Sequence, residues 1–392
     1  MNFDVVVIGA GIAGPCAALA LARRGAKVAL IEAGQLPRHK VCGEFLSPES
    51  QAVFTRLGVM EAINAGNPIP VSTGRILSRQ GATLDTPLPS AGLALSRFRL
   101  DKILWDAACD AEVECFSHTR VRHIAGTLAS GFTITTTTGE LCARHVIAAS
   151  GRHTPWLDNY DTTTSVIKDP ANPQFKTQNS KLKTPRSAQF FGLKAHFRGT
   201  GIEPGVVELH GWRGGYCGLV QVEDGITNAC LLGCYEIMKR QSQRTPEAFW
   251  QWLLQQSPAL SARMQGATQQ MDWLATGNIA FGQVRPTTGG ILRCGDAAGF
   301  IDPLTGDGMV MAARSGELAA AVVGAQLSGD VRPIDMAPLY AAAWQREFSR
   351  RLHWAALLRP LLMSPVLTTP AIALLSRMPS LAQRTVANTR GL

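Results

Sequence analysis

The chain has 392 residues, 46% of them apolar, which is more than one simple core needs and suits two joined domains. Lys and Arg outnumber Asp and Glu by 38 to 29, giving a formal charge of +9. That charge suits anionic cofactors or acidic lipid heads, while the lack of a dense basic run or a nucleic-acid motif argues against nucleic acid as a partner.

Residues 4–8 form a β-branched run, the mark of a buried parallel strand. Gly9, Gly11 and Gly14 follow in G-x-G-x-x-G spacing, with Ile12 and Ala13 inside the motif. An apolar helix pattern then runs to Gly25. Residues 27–31 make a second strand, and Glu32 stands at its tip, just before Ala33. Each glycine has a physical task. Gly9 permits a tight turn, Gly11 lets a pyrophosphate approach bare backbone, and Gly14 lets helix and strand pack closely. The helix N-terminus offers free N–H groups and partial positive charge to phosphates. Glu32 can accept both hydroxyls of an adenosine ribose and would repel a 2′-phosphate. With strand, helix, second strand and acid in order, this is a dinucleotide-binding βαβ unit. The unit alone does not separate NAD from FAD.

Arg38 and Lys40 begin a basic cluster, and Cys42-Gly43-Glu44 makes a turn that would lie close to the cofactor. Residues 71–89 alternate like a strand and leave the nucleotide domain for a second sheet. A helix starts at Ser96-Arg97. Strands within 113–149, a meander containing Val121 among them, end at Ser150-Gly151, another turn where backbone can approach a cofactor. Residues 158–186 are polar and rich in Pro, Asn, Thr and Lys, which reads as a long loop able to act as a lid or docking segment. Residues 187–234 read as successive antiparallel strands, on which His210, Trp212 and Tyr216 are expected to face a substrate pocket. A helix over 245–256 follows.

Residues 289–327 carry the second strong signal. A strand over 291–294 leads to Gly295-Asp296, then to a turn of Pro303, Gly306, Asp307 and Gly308, then to a small-residue helix from Met309. Asp296 can hold a polyol hydroxyl. The helix N-terminus favours a ring that becomes anionic on reduction. The tail from Ala337 is helical and basic, with Arg359, Arg377, Arg384 and Arg390. It is expected to pack across the second domain, and an apolar face flanked by arginines also suits peripheral membrane contact. Nine cysteines without C-x-x-C pairs and no signal-like start point to a reducing cytoplasm and to no metal site. No unbroken apolar stretch reaches membrane-spanning length.

The G-x-G-x-x-G unit with Glu32, the S-R-x-x-L-D helix and the block G-D-A-A-G-F-I-D-P-L-T-G-D-G occur in that order. Together they resemble FAD-dependent oxidoreductases of the p-hydroxybenzoate-hydroxylase superfamily over residues 1–325. K-V-C-G-E-F-L-S-P makes the chain most similar to the geranylgeranyl-reductase-like branch. The resemblance implies an α/β fold, with a Rossmann-like FAD-binding domain (1–70, 92–153, 277–327) interleaved with an antiparallel substrate domain (71–91, 154–276). A helical tail over 328–392 completes it. It implies FAD bound by Gly9, Gly11, Ile12, Ala13, Gly14, Glu32, Ala33, Arg38, Lys40, Cys42, Gly43, Arg97, Val121, Ser150, Gly151, Asp296, Pro303, Gly306, Asp307, Gly308 and Met309. Cys42 is the catalytic candidate.

The activity implied is monooxygenation of an apolar aromatic or polyketide-like metabolite, free or carrier-bound, through a C4a-hydroperoxyflavin. The alternative is alkene reduction of the geranylgeranyl type. NAD(P)H is the implied electron donor, although Ser150-Gly151 stands where hydroxylases carry Asp-Gly. The W-x-W-x-I-P signature of halogenases is absent, which argues against halogenation. A third class is a non-catalytic flavoprotein that binds a partner or a membrane through the 158–186 loop and the basic tail.

Overall fold

The computed structural model describes residues 2–152, 157, 160, 190–240, 245–282 and 284–389. Apart from Tyr160, the loop expected over 158–186 lies outside the described residues, as does Arg390. In chain order, β1 (Asn2–Ile8), α1 (Ala13–Ala22) and β2 (Val28–Ile31) come first. They are followed by β3 (Phe45–Leu46), α2 (Glu49–Arg56), α3 (Met60–Ala65), β4 (Ile69–Leu77), β5 (Thr83–Ala94) and α4 (Arg97–Asp110). Next come β6 (Glu114–Phe116), β7 (Val121–Thr127), β8 (Gly131–Thr136), β9 (Glu140–Ala148), β10 (Phe190–Arg198), β11 (Val206–Trp212), β12 (Gly215–Val222) and β13 (Ile226–Cys234). Helices α5 (Tyr235–Arg240), α6 (Pro246–Gln256) and α7 (Pro258–Arg263) lead to β14 (Thr268–Gln269), β15 (Leu274–Ile279), β16 (Thr287–Thr288) and β17 (Ile291–Arg293). The chain closes with α8 (Gly308–Leu327), α9 (Pro333–Leu362), α10 (Pro365–Arg377) and α11 (Pro379–Thr389).

The first sheet runs β16-β17-β9-β1-β2-β6, with β7 and β8 extending from β9. Strands β17, β9, β1, β2 and β6 are parallel. Strand parity divides the packing. Val5 and Val7 join the core under α1 and α8, while Val6 and Ile8 face the meander residues Ile124 and Ile134. Helices α1 and α8 approach closely because their facing residues are small. A Cβ on Gly316 would lie 2.4 Å from the Ala13 carbonyl oxygen, and one on Gly14 would lie 1.8 Å from that of Gly9.

The second sheet runs β14-β10-β13-β12-β11-β4-β5-β3, with β15 on the far side of β10. Its outer face packs on α6 and α7 through Phe191, Trp212, Phe249 and Trp250. Its inner face looks toward the first sheet and the tail. Helix α9 docks along α8 by burying Tyr340, Trp344 and Phe348, and the Tyr340 hydroxyl donates to the Arg293 carbonyl at 2.7 Å. Helices α10 and α11 cross the second sheet, where Ile372 and Ala382 pack on Leu84.

Candidate active site

A cavity of ≈ 920 Å³ lies between the two sheets and the tail helices. Its dinucleotide end is built from the loops that leave the carboxyl ends of four parallel strands, β1, β2, β9 and β17. Open α/β sheets place ligands there.

Gly9 sits at φ +105°, with a hypothetical Cβ 2.5 Å from the Ala149 carbonyl oxygen, so only glycine closes this turn. Gly11 opens onto the cavity, where a hypothetical Cβ would meet only Lys40 Nζ at 3.7 Å and Arg97 Nη2 at 3.8 Å. Helix α1 starts here with no acid in its first turn and no side-chain cap, so its N–H groups stay available to a phosphate. Arg97 donates to both oxygens of Asp101 at 2.7 and 2.9 Å, and Lys40 pairs with the same carboxylate at 2.7 Å. Burial alone would raise the Asp101 pKa, but Arg97 and Lys40 hold it below the ordinary value. Two cations share one acid, so a net positive charge faces Gly11.

Glu32 is buried. Its Oε2 accepts the Ala10 N–H at 2.9 Å, and its Oε1 accepts the Gly34 N–H at 2.9 Å and Arg38 Nη2 at 2.8 Å. Burial pushes its pKa up, but the two backbone donors and Arg38 outweigh it and keep the group ionised. A carboxylate has about four lone-pair positions, so one still points to an incoming hydroxyl. Asp296 lines the same cavity. Burial raises its pKa against the pull of Arg97, Arg152 and Lys40. Ser150 Oγ is buried without a hydrogen-bond partner. An anion seat, a ribose acid, a polyol acid and an orphaned hydroxyl in one cavity fit FAD.

Ile12, Ala13, Ala33, Cys42, Gly43, Val121, Gly151, Pro303, Gly306, Gly308 and Met309 also line the cavity. Gly14 lies beneath it as a packing glycine. Asp307 does not line it. Its carboxylate is fully buried and turns toward Arg351 of α9, with Nη1 3.9 Å from Oδ1, because the turn before α8 directs that side chain away from the cavity.

The other end of the cavity is apolar. Ile76, Leu84, Val207 and Leu209 come from the second sheet, and Leu358, Leu362 and Ile372 from the tail. Tyr216 stands at the junction, where its hydroxyl donates to Asp302 Oδ1 at 2.8 Å. The pocket expectation for His210 and Trp212 is corrected by strand parity. On β11, Val207 and Leu209 take the inner face, so His210 and Trp212 point outward. His210 Nε2 meets Glu208 Oε2 at 2.9 Å, and Trp212 packs edge-on to Phe249 and Trp252.

The Glu44 cluster carries no signature in sequence. Glu44 is wholly buried at φ 56°. Its Oε1 accepts the Arg97 N–H at 2.7 Å and an ammonium proton from buried Lys194, and its Oε2 meets His196 Nε2 at 2.7 Å. The His196 ring meets His39 edge-on, with centroids 5.0 Å apart. His39, Glu44 and His196 converge within 4.8 Å, but Lys194 already supplies the positive charge that a metal would bring. The cluster clamps the turn that holds Cys42 and Gly43 at the cavity wall. The only hint in sequence is a lysine and a histidine two apart in an otherwise apolar strand, FFGLKAHFR. Arg152 carries no sequence signal either; its Nη1 donates to the Gly277 carbonyl at 3.0 Å, and it lines the cavity just after Gly151.

A family model described as "FAD binding domain" matches residues 2–333. The menaquinone reductase of Mycolicibacterium smegmatis is 25% identical over 92% of this chain and 85% of its own length. The squalene monooxygenase of Candida glabrata is 35% identical over 115 residues, 27% of this chain. That match spans only 23% of the squalene monooxygenase, under a quarter of its length. Among solved structures, a geranylgeranyl bacteriochlorophyll reductase-like protein from Thermoplasma acidophilum aligns with a TM-score of 0.75 at 20% identity, covering 99% of this chain and 95% of that one. Flavin-dependent halogenases share the fold as well.

Proposed function

The chain belongs to the FAD binding domain family and is an FAD-dependent oxidoreductase, and from that premise we propose that it is a monooxygenase acting on an extended apolar substrate. The observation that carries this reading is the continuity of one cavity from the Gly11 seat to a wall of Leu84, Leu209, Leu362 and Ile372. The 35% identity to a squalene monooxygenase over 115 residues supports it. Bound FAD would supply the electron transfer and the oxygen chemistry. The chain's own part is to bind, orient and keep dry. Gly9, Gly11, Lys40 and Arg97 would hold the pyrophosphate, Glu32 the adenosine ribose and Asp296 the ribityl chain. The apolar wall would align the substrate and exclude water, which strengthens every charge interaction at the ring. Tyr216, fixed by Asp302, is the polar group at the boundary, and burial beside that carboxylate keeps its hydroxyl protonated.

A second reading is reduction of an unsaturated apolar substrate. Its support is the 25% identity to a menaquinone reductase over 92% of the chain. NADH or NADPH would serve either reaction as electron donor. Turnover with and without O2 separates the two: the monooxygenase reading expects product only when O2 is present, and equal product under strict anaerobiosis overturns it in favour of reduction.

A further inference from the structure

We infer that the outer face of α10 and its flanks is a docking surface for an anionic lipid bilayer, placed where the apolar cavity meets the tail. The inference rests on the apolar-substrate reading for its purpose, but its observations are separate.

Helix α10 is apolar on both sides. Its inner side gives Ala371, Ile372 and Leu375 to the cavity wall. Its outer side leaves Val366 81% and Leu374 56% exposed, with Leu367 between them in the same condition. Apart from Arg377 at its end, the helix has no charged residue. A helix hydrophobic all round is normally buried on all sides. Here one side is covered by the protein and the other by nothing in the chain's described residues. The apolar surface continues through Leu357 before it and Met378 and Leu381 after it.

Charge selects the occupant. From Phe348 to Leu392 the sequence contains no Asp or Glu and six Arg, of which Arg351 and Arg359 turn inward toward Asp307 and Asp302. Arg377 and Arg384 are exposed beside the apolar residues. Guanidinium groups bind phosphate in a fork geometry, and apolar residues flanked by arginines are the pattern of a segment lying in a bilayer interface. Among the described residues no single helix is long and apolar enough to cross a membrane, and α9 and α10 meet at a bend of 111°. The geometry therefore fits a surface that lies on lipid. A substrate dissolved in that lipid would meet the cavity through the same helix that docks.

Flotation of the full-length, FAD-loaded protein with vesicles tests this. One set contains phosphatidylcholine and phosphatidylglycerol, the other phosphatidylcholine alone. The expected result is flotation with the anionic vesicles, at least tenfold weaker with the neutral ones and at least tenfold weaker for Val366→Glu and Leu374→Glu. Both variants change exposed side chains outside the cavity, and retained flavin content and thermal midpoint show that they fold. The inference is overturned if the wild type fails to float, if neutral vesicles bind as well as anionic ones, or if both variants float like the wild type. It is also overturned if the wild type is a dimer that the variants split, since the face would then cover a second copy. Flotation is read without turnover, so a protein that floats but shows no action on apolar substrates sinks the proposed function and leaves the docking surface standing.

Discussion

The Arg359 guanidinium on α9 donates its Nε proton to Asp302, the residue that opens the turn leading to Gly306 and Gly308. The same carboxylate accepts from the Tyr216 hydroxyl at 2.8 Å and the Leu304 N–H at 3.1 Å, and the guanidinium lies 4.0 Å from the centre of the Phe281 ring. One buried acid thus joins the tail, the second sheet and the dinucleotide domain at the cavity wall.

Arg359→Met should therefore destabilise the protein although it removes a half-buried group. The Asp302 side chain is 1% exposed and would lose its only counter-charge among the described residues. Removing one partner of a buried pair costs about 3–5 kcal/mol, and the 21% exposure of Arg359 trims this to roughly 2 kcal/mol. The double variant Arg359→Met with Asp302→Asn should recover most of the loss. Thermal unfolding of the four species checks it, and additive losses would contradict the coupling.

The three motif glycines should fail in different ways. Gly9→Ala and Gly14→Ala drive a Cβ to within 2.5 Å and 1.8 Å of backbone oxygens, so both should lower stability and soluble yield. Gly11→Val faces only flexible ends of Lys40 and Arg97 beyond 3.5 Å, so the fold should survive while FAD affinity falls at least tenfold. Circular dichroism and flavin content, measured on the same samples, separate the two outcomes. A Gly11→Val protein that keeps its FAD would move the pyrophosphate elsewhere.

Stability should fall as pH falls, in two stages. His210 is buried and its folded pKa lies below the ordinary 6.5, chiefly through burial. Glu44 lies below 4.5 despite its burial, because Lys194 and His196 favour the ionised form. Asp101 is depressed in the same way by Arg97 and Lys40. In each case the unfolded chain binds the proton more readily, so stability is present above the unfolded pKa and is lost as pH drops through the folded one. The first loss should begin below about pH 6.5 and the steeper one below about pH 4.5. Lys194→Met removes the main charge that holds Glu44 ionised, so burial should lift the folded pKa of Glu44 toward its unfolded value and the loss of stability below about pH 4.5 should shrink, from a lower starting stability. Denaturant melts across pH 3–8 read both, and an unchanged profile in Lys194→Met would contradict the clamp.

The βαβ unit was legible because its constraints are local. A β-branched run, three glycines and an acid fall within 29 residues, and each is tied to the next by backbone geometry. Asp296 and the turn before α8 were legible for the same reason. His210 and Trp212 were misassigned because alternation says that neighbours take opposite faces but not which face is inward. That parity is set by α6 and α7, which claim Trp212. The direction of the Asp307 side chain, toward Arg351, was not legible, because a turn residue's direction depends on backbone angles that the motif does not specify. Glu44 with Lys194, and Asp302 with Arg359, were invisible because their partners lie 150 and 57 positions apart. No periodicity links residues at such distances.

One flavin nucleotide is expected to seat between Gly11 and Asp296, and a titration of the stripped protein with FAD measures that directly. The expected result is saturation near one FAD per chain with an oxidised-flavin spectrum, release of FAD and not FMN on denaturation, and weakened binding in Glu32→Ala with the fold retained. A protein that stays colourless under reconstitution, or binds FMN as well as FAD, would contradict it.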